Sequence, residues 1–278
     1  MNHLKKNRIV VKIGSNSLTH PKTGRLDYIK IERLAMELTD IRNRGMDVCL
    51  VSSGAIAVGR QTLGVKQRPK KFSEKQALSS VGQVRLMATY QKYFSEFNQM
   101  TGQILMTKNT ILDNVSCINA KNTFEELFAM GVIPIVNAND AISTYEMQFG
   151  DNDTLSAIVC SLIDAKQLIL LSDIDGLYSE DPNHNPDATL ITHVKKIDES
   201  IMKMSSENPG SDVGTGGMNT KILAAQIATS SGASMIIANA KDVSILHQIL
   251  DRHFIGTTFV SNYDENFYLD DFLERTII

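Results

Sequence analysis

"RIVVKIG", residues 8–14, decides how the chain is read. Ile9, Val10, Val11 and Ile13 form an apolar, mostly β-branched run without polar alternation. Such a run predicts a strand buried on both faces, as in a parallel sheet. The glycine at its end marks a turn. A helical pattern follows over 27–44, with Ile31, Leu34, Ala35, Leu38 and Ile41 on one face and Asp27 placed to cap it. "GMDVCLVSSGA" (45–55) then repeats the unit as turn, strand and glycine turn, with a helix opening near Gly54.

The alternation continues along the chain. Helices are predicted over 73–97, 119–130, 153–165, 218–232 and 242–251, and strands over 102–107, 132–140, 166–173 and 233–239. Ser73 and Gln76 are spaced as a capping box. Repeated strand–helix units predict an α/β fold with a mostly parallel central sheet covered on both faces. Ligands of such sheets bind beyond the carboxyl ends of the strands. The polar turns that follow strands are therefore the places to search.

Six stretches stand out: "VKIGSNSLT" (11–19), "VSSGAIAVG" (51–59), "VNANDAIST" (136–144), "FGDNDTLSA" (149–157), "LLSDIDGLYSEDP" (170–182) and "SDVGTGGMNTK" (211–221). A glycine before a helix start offers free N–H groups and a positive dipole end to an anion. Gly54 and the loop holding Gly214, Gly216 and Gly217 are both so placed. Lys221 sits about one turn inside its helix, from where its side chain reaches back toward the loop. The stretch matches neither GxxxxGK[ST] nor GxGxxG, so a plain helix-entry loop is an equal alternative. Lys12 interrupts an apolar strand. It is either an edge residue snorkelling to water or a cation facing a phosphate. Asp153 is either an N-cap or a carboxylate that holds lysines in place. Asp140 is either a turn aspartate or the partner of a substrate ammonium.

Bulk composition limits the function classes. The chain has 278 residues, 42% hydrophobic and 21% charged, which indicates a folded globular protein. A net charge of -3 argues against a general nucleic-acid footprint. "KQRPKK" (66–71) lacks interleaved aromatics and reads as a solvated loop. Cys49, Cys117 and Cys160 are far apart and odd in number, which fits reduced thiols. The histidines do not cluster, so no protein-bound metal site is expected, and His184 and His193 have no expected chemistry. No apolar run is long enough to span a bilayer, and the apolar run at the N-terminus is short for a signal peptide. The expectation is a cytoplasmic protein without nucleic-acid or membrane partners. The acidic, aromatic tail is expected to pack on the domain or on a second subunit.

In this order and at these separations, the motifs "VKIGSNSLT", "VSSGAIAVGR", "NANDAIS", "FGDNDTLSA", "LLSDIDGLYSEDP" and "VGTGGMNTK" resemble the amino acid kinase family, over about residues 8 to 258. "GDNDTLSA" and "SSGAIAVGR" favour its branch acting on L-glutamate. The resemblance implies a three-layer αβα sandwich forming one domain. Within it, a substrate-binding lobe covers about 1–165, a nucleotide-binding lobe about 166–260, and a tail 261–278. It implies transfer of phosphate from ATP, with Mg²⁺, to the γ-carboxylate of L-glutamate, the first step toward proline. By resemblance, the phosphate lysines are Lys12 and Lys221, the organising aspartate is Asp153, and the substrate contacts are Ser53, Asp140 and Asn152, with the backbone at Gly54. The nucleotide contacts are Lys12, the backbone at Gly14, Ser172, Asp173, and the loop Thr215, Gly216, Gly217, Met218, Asn219, Thr220 and Lys221. Feedback inhibition by L-proline and assembly into a homo-oligomer, dimer or tetramer, are also implied. Ala138 stands where most relatives carry glutamate, and the chain ends before the PUA-type domain that many of them add. The alternatives are kinases of the same family acting on N-acetylglutamate, aspartate, UMP or carbamate, and a non-catalytic ligand-binding protein on the same fold.

Overall fold

The computed structural model describes residues 7–143, 151–182, 184–207 and 217–277. The first third contains β1 (Arg8–Ile13), α1 (Ser15–Leu18), α2 (Tyr28–Asn43), β2 (Asp47–Ser52), α3 (Ala55–Thr62) and α4 (Phe72–Glu96). There follow β3 (Thr101–Met106), α5 (Lys108–Leu112), α6 (Asn114–Ala129), β4 (Ile133–Ala138), α7 (Asn152–Leu162) and β5 (Gln167–Ser172). The remainder contains β6 (His193–Val194), α8 (Glu199–Glu207), α9 (Met218–Ser230), β7 (Ser234–Asn239), α10 (Ile245–Leu250), β8 (Gly256–Phe259) and α11 (Leu269–Ile277).

The strands form one sheet in the order β3-β4-β2-β1-β5-β7-β8-β6. All neighbouring pairs are parallel except β7 with β8. β1 is central, and Lys12 lies opposite Val51 on β2 and Leu170 on β5. The carboxyl ends of β1, β2, β4, β5 and β7 therefore share one edge. A single sheet runs through residues on both sides of position 165.

Alternation along the strands sorts side chains into two cores. Val10, Cys49, Val51, Val136, Leu168 and Leu170 face α6, α7 and α9. Ile9, Val11, Ile13, Leu50, Ile169 and Leu171 face α2, α4 and α10. A sheet covered on both faces needs no polar alternation, which is why "RIVVKIG" is apolar apart from Arg8, Lys12 and the closing glycine. Leu273 of α11 is buried in the first of these cores, so the tail packs on its own domain.

Helix starts differ from expectation in two places. Asp27 caps α2 as read, accepting from Lys30 N at 3.0 Å. Ser73 and Gln76 do not cap α4. The helix begins at Phe72, and Glu74 accepts from the N–H groups of Lys70 and Lys71, at 3.2 and 3.4 Å. Gln76 instead donates to Ser143 O at 3.1 Å. At α7 the cap is Asp151, which accepts from Thr154 N at 2.8 Å, and Asp153 is released for another role.

α3 and α4 touch backbone to backbone. A Cβ on Gly82 would stand 1.7 Å from Ala55 O, and one on Gly59 would stand 1.9 Å from Leu78 O. This contact fixes α3, and the turn before it, against the long helix α4.

Candidate active site

Lys12 is the fifth residue of β1 and shares the face of Val10, toward α7 and α9. The edge reading of Lys12 is overturned, because β1 is central and the residue is 8% exposed. Asp153 comes from the first turn of α7 and Lys221 from the first turn of α9. The Asp153 carboxylate is 1% exposed. One oxygen pairs with Lys12 Nζ and the other with Lys221 Nζ at 2.9 Å. Burial alone raises the pKa of Asp153, but the two ammonium groups outweigh it and hold the carboxyl down to about 2. Two buried ammonium groups share the Asp153 carboxylate at the carboxyl edge of the sheet, where an incoming anion would meet both of them.

Asp151 stands beside this cluster. One oxygen caps α7, and its Oδ2 is buried without a hydrogen-bond partner among the described residues. Burial and the Asp153 charge both push its pKa up.

A second group of contacts joins β2, β4 and α7. Asn152 Nδ2 lies 2.9 Å from Ser53 Oγ, 3.0 Å from Ser52 O and 3.0 Å from Asn137 Oδ1. Gly54, between β2 and α3, has φ of 103°, a left-handed conformation in which a side chain is strained. Its N-cap Gly54 has no side chain to satisfy the first N–H groups of α3, which leaves them for other partners. Asp140 follows β4, half-buried, and lines a cavity of about 200 Å³ with Ser79, Gln83, Leu105 and Ala138. Burial raises its pKa, with Lys75 opposing. No hydrogen bond among the described residues joins Asp140 to either group.

Ser172 and Asp173 end β5. Ser172 Oγ donates to Asp173 Oδ1 at 3.2 Å, and Asn16 Nδ2 donates to Asp173 Oδ2 at 3.3 Å. Gly217 precedes α9, which has no side-chain cap, and Met218, Asn219 and Thr220 form its first turn. Thr220 Oγ1 donates to Gly217 O at 2.8 Å. Thr215, Gly216, Gly214 and Gly150 lie outside the described residues. At Gly14, a Cβ would stand 3.5 Å from Lys12 Nζ. His184 and His193 are exposed, far along the chain from these groups.

The sequence profile of the amino acid kinase family matches residues 7–239. The chain belongs to the amino acid kinase family. It is 50% identical to a glutamate 5-kinase of Clostridium acetobutylicum over 91% of this chain and 94% of that protein. It is 49% identical to a glutamate 5-kinase of Clostridium tetani over 90% of this chain and 93% of that protein. A carbamate kinase from Giardia lamblia bound to AMP-PNP has the same fold, with a TM-score of 0.67 at 16% identity. The match covers 92% of this chain and 99% of that one.

In this member of the amino acid kinase family, sequence reasoning missed Asn137, Gln83 and Asp151. Asn137 carried a signal: it is a polar residue closing the apolar run "VIPIVN". Asp151 was quoted only as part of an acidic turn. Gln83 carried none, since an amide within a long helix reads as solvent-facing.

Proposed function

We propose that the chain transfers the terminal phosphoryl group of ATP to the γ-carboxylate of L-glutamate, giving glutamyl 5-phosphate. The carrying observation is the Lys12–Asp153–Lys221 cluster at the carboxyl edge of the sheet, in a chain about half identical to glutamate 5-kinases. A carboxylate acceptor has an ordinary pKa of about 4.3 and is ionised near neutral pH. It needs no general base. The requirement is to bring two anions together and neutralise them.

Lys12 lies on the transferring phosphoryl group and Lys221 on the leaving phosphates, with Asp153 setting both ammonium positions. The open N–H groups before α3 and α9 add to this field. Ser53 and the start of α3 take the substrate α-carboxylate, and Asp140 and Asn152 take its ammonium. Ser172, Asp173 and the loop from Thr215 to Lys221 hold the nucleotide. Among the described residues no group of three His, Cys, Asp or Glu side chains could hold a metal ion, and Asp153 is committed to two lysines. Mg²⁺ would be carried largely by ATP oxygens and water and would screen phosphate charge. Among the described residues no helix is long and apolar enough to cross a membrane. Feedback inhibition by L-proline and a homo-oligomeric state extend the same proposal.

The test is a hydroxylamine trap with ATP, Mg²⁺ and L-glutamate, and separately with N-acetylglutamate and aspartate. Hydroxamate from L-glutamate alone is expected. Hydroxamate from another acid alone would move the chain to another reaction of the family. None from any, with ATP still bound, would favour a non-carboxylate acceptor or a silent binding role.

A further inference from the structure

We propose that Gln83, on α4, is a positioning residue for the amino-acid substrate, acting through a buried chain of amides. The inference rests on the function proposed above. Gln83 is 9% exposed and Asn137 is 3% exposed. Gln83 Oε1 accepts from Asn137 Nδ2 at 2.8 Å. Asn137 Oδ1 accepts from Ala138 N at 2.9 Å and from Asn152 Nδ2 at 3.0 Å. Asn152 Nδ2 also reaches Ser53 Oγ at 2.9 Å. The relay thus runs from a helix in one covering layer, through β4, to the two side chains proposed to hold the substrate.

The relay sets polarity as well as position. Ala138 N–H requires Asn137 to present its oxygen, which turns Asn137 Nδ2 toward α4. There the buried Nδ2 needs an acceptor, and Gln83 supplies it. The two hydrogens of Asn152 Nδ2 are shared among three surrounding acceptors, Ser52 O, Ser53 Oγ and Asn137 Oδ1, so its Oδ1 is the atom left for a ligand. An oxygen acceptor suits an ammonium group. Ser53 Oγ accepts from Asn152, which leaves its hydrogen to donate, and a donor suits a carboxylate. The two ends of an α-amino acid are told apart by a pattern that begins at Gln83. No hydrogen bond in this relay involves Lys12, Lys221 or the carboxylate of Asp153. Its loss therefore acts on the amino acid and not on ATP.

The experiment is steady-state kinetics on the full chain with Gln83→Met and Gln83→Glu. Met keeps the side-chain volume and removes the acceptor, stranding a buried N–H. The KM for L-glutamate is expected to rise about tenfold, with the KM for ATP within about twofold of the unaltered protein. Gln83→Glu keeps an acceptor and is expected to stay within about threefold for both substrates. In an Asn152→Ala background, Gln83→Met should add little further. Should Gln83→Met not fold, by circular dichroism, the shorter Gln83→Asn replaces it with the same glutamate-selective rise expected. A folded Met or Asn variant with unchanged glutamate KM would overturn the inference. So would an equal rise in the ATP KM, or a Glu variant no better than Met. No glutamate-dependent turnover in the unaltered protein would overturn the proposed function and this inference together. Normal turnover there with an insensitive Gln83 variant would overturn this inference alone.

Discussion

Two buried cations on one strand show how neighbouring charge separates scaffold from site. Arg8 opens β1 and pairs with Asp47 at 2.9 Å and Glu125 at 2.7 Å, with its guanidinium 4.3 Å from the centre of the Phe128 ring. Its charge is fully met by the protein. Lys12, four residues on, shares a single carboxylate with Lys221. The first arrangement fastens the strand, and the second is the one proposed above to meet the phosphates of ATP. Lys12→Met and Lys221→Met are each expected to lower kcat by about 10²–10³-fold or more while circular dichroism stays unchanged, because each removes a group proposed to meet transition-state charge. Asp153→Asn should behave differently. It removes the carboxylate that both buried ammonium groups share and is expected to cost about 3–5 kcal/mol in urea unfolding. The pH dependence has a definite sign. The folded pKa of Asp153, about 2, lies below its ordinary 3.8. Its contribution to stability is therefore complete above the ordinary value and is lost as pH falls through 3.8 toward 2. Acid unfolding of Asp153→Asn should lack this component.

Elements carry the next set of consequences. Asp27 caps α2 on the side of the sheet away from α7 and α9. Asp27→Ala is expected to cost about 1 kcal/mol in urea unfolding and to leave both KM values unchanged. Gly82→Ala should cost about 1–3 kcal/mol or more, because its Cβ collides with the Ala55 carbonyl across the α3–α4 contact. Strands such as "RIVVKI" and "QLILLS" were legible because burial on both faces leaves apolar runs without alternation. The helix at 27–44 was legible through its periodicity and its cap. Other elements were not. β6 has two residues and β8 four, too short to show a period. The cap of α7 stayed undecided in the sequence, because Asp151 and Asp153 are aspartates within one turn and only three-dimensional contacts show which one turns back to the backbone.

For the whole molecule, the site is assembled from residues that sequence order keeps apart. Lys221 and Asp153 are 68 positions apart, and Asn152 and Ser53 are 99 apart. Parallel strand pairing brings their turns to one edge. Four of the turns were legible because they close the buried strands β1, β2, β4 and β5, and the stretches 149–157 and 211–221 because they lead into helices. The order in which the strands lie side by side was not, and that order makes Lys12 central. The amide relay was hidden for the same reason: Gln83 and Asn137 are 54 positions apart and meet only because α4 packs on the sheet. Linkage supplies a test at this scale. A non-hydrolysable ATP analogue at about 100 times its Kd should stabilise the fold by about 2.7 kcal/mol, read as a rise in Tm. In Lys12→Met the same analogue concentration should give a smaller rise.

The touching backbones of α3 and α4 carry a consequence for how variants of this chain would be sorted. In a survey of every single substitution, scored by growth, positions 59 and 82 should tolerate replacement as poorly as position 12. A census of intolerance would then enrol two glycines among the reactive groups, though what each meets is the backbone of a neighbouring helix. Counting surviving protein beside activity separates them. Gly59 and Gly82 variants should vanish from the protein pool, whereas Lys12 variants should persist in it, abundant and inert.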